Sequence, residues 1–105
     1  MRNGSIGVAN IRFRATARTD LAEIRAFSAE QFGDSVADDY TRGFKIAFDL
    51  LRRHPLSGET KPEIGRGVRC LVHKRHRILY QIDRDLVLIL RIVHHSRDAK
   101  RALSG

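Results

Sequence analysis

Residues Gly67 to Asp98 read GVRCLVHKRHRILYQIDRDLVLILRIVHHSRD, and the expected fold follows from them. Val68 to His73 carries Val, Cys, Leu and Val. Arg77 to Ile82 alternates, placing Ile78, Tyr80 and Ile82 on one face and Arg77, Leu79 and Gln81 on the other. Leu86 to Val93 is almost continuously apolar, the pattern of a strand covered on both faces. The connectors, Lys74-Arg75-His76 and Asp83-Arg84-Asp85, are short and polar. A parallel pair needs a crossover of about a dozen residues, so these strands form an antiparallel meander with Leu86 to Val93 the most buried.

Upstream, Asn10 to Ala15 alternates Ile11, Phe13 and Ala15 against Arg12 and Arg14, predicting a short, half-buried strand that pairs with the meander. A helix follows. Thr16 or Thr19 is positioned to cap it, and Asp20 with Glu23 supplies negative charge to its first turn. Leu21, Ile24, Ser28 and Phe32 share its face, with Phe27 alongside. Gly33 ends it in a left-handed position. A second helix starts at Asp34 or Ser35, carries Val36, Tyr40, Phe44, Ala47 and Leu51 at helical spacing, and stops at Pro55. So short a junction forces an antiparallel hairpin. Pro55 to Gly67 reads as a polar loop, and Arg97 to Leu103 as a short helix or a frayed tail. The fold expected is therefore two-layer α+β, in the order β-α-α-β-β-β, with an antiparallel sheet packed on the helical hairpin.

The 105 residues allow one domain, 10–105, behind a flexible leader at 1–9. No apolar run approaches the ~20 residues that span a bilayer, and MRNGSIGVAN lacks the apolar region of a signal peptide, so no membrane partner is expected. The single Cys70 has no internal partner and sits mid-strand among apolar neighbours, which fits a packing residue in a reducing cytoplasm. Net charge is +8, and residues 56–105 hold eleven basic against five acidic side chains. That surplus on the sheet and tail points to a polyanion or an acidic protein partner.

In motif order the chain resembles the ParE/RelE superfamily of toxin–antitoxin toxins, specifically the ParE branch, over about residues 11–103. The likeness rests on DLAEI at Asp20 to Ile24, QFG at Gln31 to Gly33 and RRHPLSG at Arg52 to Gly58. It continues with GVR at Gly67 to Arg69, ILYQI at Ile78 to Ile82 and LRIVHHSRD at Leu90 to Asp98. The resemblance implies a toxin neutralised by a cognate ParD-like antitoxin, whose acidic C-terminal segment wraps it in a hetero-oligomer. It also implies inhibition of DNA gyrase, growth arrest and no cofactor. RelE-like members instead cut messenger RNA at the ribosome, so the site must choose.

Attack by a 2′-hydroxyl needs a base, an acid and cations converging on one phosphate. The nuclease candidates are His94, His95, Arg77 and Arg91, although strand alternation sends His94 and His95 to opposite faces. The tail after His94, HSRDAKRALSG, lacks the tyrosine that RelE-like nucleases carry there, which favours a non-enzymatic inhibitor. For that reading the target-binding candidates are Arg69, Arg77, Arg91, His94 and Arg97, with Arg69 and Arg77 helping to form a basic face on the middle strands. The antitoxin-binding candidates are Phe13, Phe27, Phe32, Phe44 and Phe48, more aromatic surface than a thin domain buries. An inactive family member that only binds antitoxin is the third possibility. His94 near Arg97 and Asp98 also has a plain structural role open to it, tying the strand end to the tail. Four histidines between His73 and His95 invite zinc, but no Cys-x-x-Cys or His-Glu-x-x-His accompanies them, so no metal is expected.

Overall fold

A computed structural model describes residues 8–104. The elements are β1 (Asn10–Phe13), α1 (Ala15–Phe32), α2 (Asp34–Arg53), β2 (Glu59–Thr60), β3 (Arg69–His73), β4 (His76–Asp83), β5 (Leu86–His94) and α3 (Ala99–Ser104). They form a mixed α+β domain with a five-stranded sheet in the order β1-β5-β4-β3-β2. Of the expected leader, residues 1–7 lie outside the described residues. Ala9 is buried, and its N–H donates to the carbonyl of Arg52 at 2.7 Å.

The meander forms as read, with tighter turns. His73 pairs with His76 and Asp83 with Leu86, so each connector has two residues rather than three. Lys74 and Arg84 take the left-handed conformation that such turns require. The sheet is not wholly antiparallel, because β1 runs parallel to β5, from Asn10 beside Leu86 to Phe13 beside Ile89. The whole helical hairpin serves as the crossover that a parallel pair needs. The polar loop is also less irregular than its composition suggests: Pro55–Ser57 is a 3-10 turn, and Glu59–Thr60 adds an edge strand to β3.

Apolar alternation sorts the sheet's two faces. Ile78, Tyr80, Val87, Ile89 and Ile92 meet Ala17, Phe44, Ala47, Phe48 and Leu51 of the hairpin. Cys70, Leu79, Leu90 and Val93 form a second cluster with Ile64, Val68 and Ala99, so α3 and the loop before β3 cover the opposite face. That cover accounts for the continuous apolar run of β5, and the expected helix or tail at 97–103 is a packed helix over Ala99–Ser104. Between Leu79 and Tyr80 the register slips, leaving Leu90 without a direct partner on β4. This bulge keeps both Ile89 and Ile92 on the hairpin face although three positions separate them.

The start of α1 departs from the sequence reading. Its N-cap is Arg14 without a side-chain bond, and its first turn holds no acidic residue. Neither Thr16 nor Thr19 caps it. β1 ends at Phe13, so the last residues of β5 have no strand on that side, and α1 satisfies them with side chains. The Thr16 hydroxyl donates to the Leu90 carbonyl at 3.1 Å, and Asp20 accepts from the Ile92 N–H at 2.8 Å. Asp20 is thereby buried inside the helix instead of facing solvent at its start. At the hairpin turn Gly33 has φ 91° and ψ 164°, a conformation reserved for glycine but not the left-handed helical one anticipated. Its N–H donates to the Ala29 carbonyl at 2.8 Å and closes α1.

Candidate functional site

A groove of about 610 Å³ opens between the hairpin turn and one end of the sheet. Ile24 and Phe27 of α1, Phe32 at the turn, and Val36 of α2 supply its apolar wall. Phe27 and Phe32 are 64% and 67% exposed, and Val36 is 45% exposed. Three such side chains on neighbouring turns form a patch that the fold leaves uncovered. The floor is the end of β5, Arg91 to His94, and the rim carries Tyr40, Arg75, His76 and Arg97. Of the five expected antitoxin contacts, only Phe27 and Phe32 lie here. Phe44 and Phe48 are buried core residues, and half-buried Phe13 packs edge-on to Phe48 at 4.9 Å.

At the rim, three histidines line up across the sheet. His73 pairs with His76, and His76 pairs with His94. The rings of His76 and His94 stand 5.4 Å apart, and the Phe44 ring is 4.7 Å from His73. His76 Nδ1 shares a 2.6 Å hydrogen bond with the Tyr40 hydroxyl. Burial, and then the neighbouring imidazoles of His94, His73 and His95, push the His76 pKa down to about 4, against a weaker opposing pull from Asp20. Burial also lowers the pKa of His73. The His76 and His94 rings meet edge to face, and among the described residues no three His, Cys, Asp or Glu side chains converge to hold a metal ion.

The row makes stability depend on pH, and the sign follows from linkage. In the unfolded chain His76 takes its proton near its ordinary value of 6.5, whereas in the fold it stays neutral until about 4. The unfolded state therefore binds more protons between those values, and stability falls as pH drops through that window. Solvent screening at a half-exposed site limits the loss to about 1–2 kcal/mol. Denaturant titrations at about pH 7.5 and about pH 4.5 should show it, and His76→Asn, which removes the titration, should shrink the difference.

The arginines expected to share a basic face do not. Arg69 lies opposite Tyr80 and donates to the carbonyls of Gly58 at 3.1 Å and Leu56 at 3.2 Å. Arg77 is paired with Val93, on the α3 side, and donates to the Arg97 carbonyl. Arg91, beside the bulge, donates to Asp20 through Nε at 2.8 Å and Nη2 at 2.9 Å, and to the Ala102 carbonyl at 2.8 Å. No local pattern signals this pair, because Asp20 and Arg91 are 71 positions apart. His94 and His95, assigned to opposite faces by strict alternation, have ring centroids 4.5 Å apart, because the strand ends at His94 and the chain turns. His94 Nδ1 accepts from the Ser96 N–H at 3.2 Å and lies 2.7 Å from its hydroxyl, so the strand end is tied to the turn through Ser96 and not through Arg97 or Asp98. Asp98 accepts from the Arg101 N–H at 3.2 Å and caps α3.

A helical hairpin on a meander sheet is the fold of the ParE/RelE toxins. The chromosomal ParDE TA system from P. aeruginosa contains a chain that matches this fold with a TM-score of 0.73 at 19% identity, covering 83% of this chain and 96% of that one. The family described as the ParE toxin of the type II toxin–antitoxin system parDE matches residues 11–99. The chain belongs to that family and is a type II toxin–antitoxin toxin. It is 27% identical to Toxin ParE1 of Caulobacter vibrioides over 92 residues, 88% of this chain and 95% of the relative. It is also 30% identical to a chain of the toxin–antitoxin complex RelBE2 from Mycobacterium tuberculosis, with a TM-score of 0.58 and coverage of 83% and 98%. Among the described residues no helix is long and apolar enough to cross a membrane.

Proposed function

We propose that this toxin disables DNA gyrase by binding it, breaking no bonds itself, and that a cognate antitoxin holds it inactive by filling the groove. The observation that supports the non-enzymatic reading is the commitment of three cations, Arg69, Arg77 and Arg91, which also removes the shared basic face expected to grip the target and leaves that contact to the groove rim. Arg69 and Arg77 donate to carbonyls of the chain itself, and Arg91 to a carboxylate as well as a carbonyl. A phosphate undergoing in-line attack needs several donors converging on it, and these three point to separate places. Gyrase as the target follows from the ParE resemblance. Of the expected target contacts, His94 and Arg97 line the groove and remain candidates, while Arg69, Arg77 and Arg91 are bonded within the chain.

The groove favours an antitoxin segment that is apolar along one side and acidic at one end. Phe27, Phe32 and Val36 offer anchoring surface, and Arg75 and Arg97 offer the charge complement. The resulting hetero-oligomer would leave Phe44 and Phe48 undisturbed. Phe27→Ser with Phe32→Ser should weaken antitoxin binding by roughly 1,000-fold, since two anchors of this kind each contribute about 2 kcal/mol, while thermal stability stays nearly unchanged. Phe44→Ala should instead destabilise the toxin by about 3–5 kcal/mol, as expected for a buried aromatic. Isothermal titration with the product of the neighbouring reading frame measures the first, and denaturant unfolding the second.

Purified toxin in a supercoiling assay should raise cleaved, gyrase-linked DNA and leave ribosome-bound messenger intact. A second reading, ribosome-dependent mRNA cleavage, draws on the His94 and His95 rings lying side by side near Arg97. Cut transcripts that disappear with His94→Ala or His95→Ala would establish it and displace the inhibitor reading. Neither activity, with antitoxin binding retained, would mark a family member that only binds.

A further inference from the structure

Two adjoining turns at the groove end of the sheet carry cations that no carboxylate of the described residues pairs with, Arg75 and Arg97 on the groove rim and Lys74 outside its lining. The β3–β4 turn is Lys74-Arg75, and the β5–α3 turn is His95-Ser96-Arg97. The His95 N–H donates to the Arg75 carbonyl at 2.7 Å, and the Arg77 guanidinium holds the Arg97 carbonyl, so the turns are fixed side by side. Lys74 Nζ stands 5.8 Å from the centre of the Tyr40 ring. All five turn residues are exposed. Among the described residues, none of Lys74, Arg75 and Arg97 has a carboxylate within salt-bridge distance, whereas neighbouring acids have partners of their own. Asp38 pairs with Arg25, Asp39 with Arg42 and Asp20 with Arg91, and Asp98 caps α3.

We infer that this paired-turn end, built on Lys74, Arg75 and Arg97, binds the phosphate backbone of double-stranded DNA independently of sequence. A protein partner is anchored by apolar side chains at the centre of its interface, and these turns present only ammonium, guanidinium, imidazole and hydroxyl groups. Protein–DNA contacts are polar and strongly cationic, and guanidinium groups match phosphate oxygens in a bidentate fork. The His94 and His95 rings, 4.5 Å apart, add donors to the same surface. Of the turn residues, only Arg75 and Arg97 line the groove with Phe27 and Phe32; Lys74, His95 and Ser96 stand outside its lining. The surface requires neither gyrase nor antitoxin, so it can be tested apart from the inhibitor reading.

The test is fluorescence anisotropy of a labelled, mixed-sequence DNA duplex with the full-length toxin, at salt from about 50 to about 200 mM. The triple variant Lys74→Ser, Arg75→Ser, Arg97→Ser is compared with a charge-matched control, Arg12→Ser, Arg14→Ser, Lys45→Ser, at exposed positions elsewhere. Every phosphate that the protein ceases to neutralise lowers the log–log salt slope by about 0.9, so the turn variant should lose two to three units of slope and at least tenfold in affinity at low salt. The control should change affinity by less than about threefold if contact geometry, and not net charge, governs binding. Arg97→Ser alone should remove about one unit of slope and serves if the triple variant folds poorly. Equal losses in both triple variants, or no duplex binding by the wild type, would overturn the inference. So would poly-L-glutamate competing as tightly as duplex at matched salt, which would assign the surface to an acidic protein.

Discussion

Replacing Asp20 with alanine should cost the toxin about 3–5 kcal/mol of folding stability, the usual consequence of removing one partner from a buried ion pair. The carboxylate is 7% exposed and accepts three hydrogen bonds, two from Arg91 and one from the Ile92 N–H. Without it, a guanidinium with a side chain 20% exposed keeps only the Ala102 carbonyl, and a buried N–H at the open edge of β5 has nothing. The same change removes the link by which α1 and α3 both hold the end of β5. Asp20→Leu combined with Arg91→Met should recover most of the loss, because a packed apolar pair replaces a desolvated ionic one. Urea unfolding of the two single variants and the double, treated as a cycle, measures the coupling. Additivity within about 0.5 kcal/mol would show that the pair does not act as a unit.

The second large effect lies at the other end of the sheet. The Tyr80 hydroxyl donates to the Pro55 carbonyl at 2.6 Å and accepts from the Gly58 N–H at 2.9 Å. This buried phenol ties the exit of α2 to the central strand. Gly58 is required there by space, since a Cβ would lie 2.7 Å from the Tyr80 ring and hydroxyl and 2.8 Å from the backbone oxygen of Cys70. Tyr80→Phe should cost about 1–3 kcal/mol, because it leaves a buried N–H and a carbonyl unpaired. Gly58→Ala should cost a comparable 1–3 kcal/mol by overpacking against backbone that has little room to move. The two changes act on one contact, so the double variant should lose less than the sum. Thermal unfolding of all three checks both the sizes and the coupling. A Tyr80→Phe variant as stable as wild type would mean that water replaces the phenol.

Much of the fold was legible because its signals are local. The Arg77 to Ile82 alternation, the short polar connectors and the apolar run from Leu86 to Val93 each need only neighbouring residues to be read. Tyr80 as a core residue and Cys70 as a buried packing thiol were visible in the same way. The candidate site was legible only in outline. Five phenylalanines signalled surplus aromatic surface, but helical spacing alone did not reveal that Phe44 and Phe48 face the sheet while Phe27 and Phe32 face outward. The core-facing side of α1 carries Ala17, Asp20 and Ser28 with half-buried Leu21 and Ile24, while the bulkier Phe27 and Phe32 stand outside it.

Element order, the hairpin, the meander and the family are therefore written in the unfolded chain, because hydrophobic period, turn chemistry and motif order survive without tertiary context. The roles of the charged residues emerge only on folding. Asp20 looks like a dipole-compensating acid until the missing strand beside β5 turns it into a backbone cap and the partner of Arg91. Arg69 and Arg77 look like parts of one basic face on the middle strands until folding sends them to carbonyls in separate places, Gly58 and Arg97. A charge interacts across space with whatever the fold brings near it, over separations that no local pattern encodes, whereas an apolar side chain declares its preference wherever it stands.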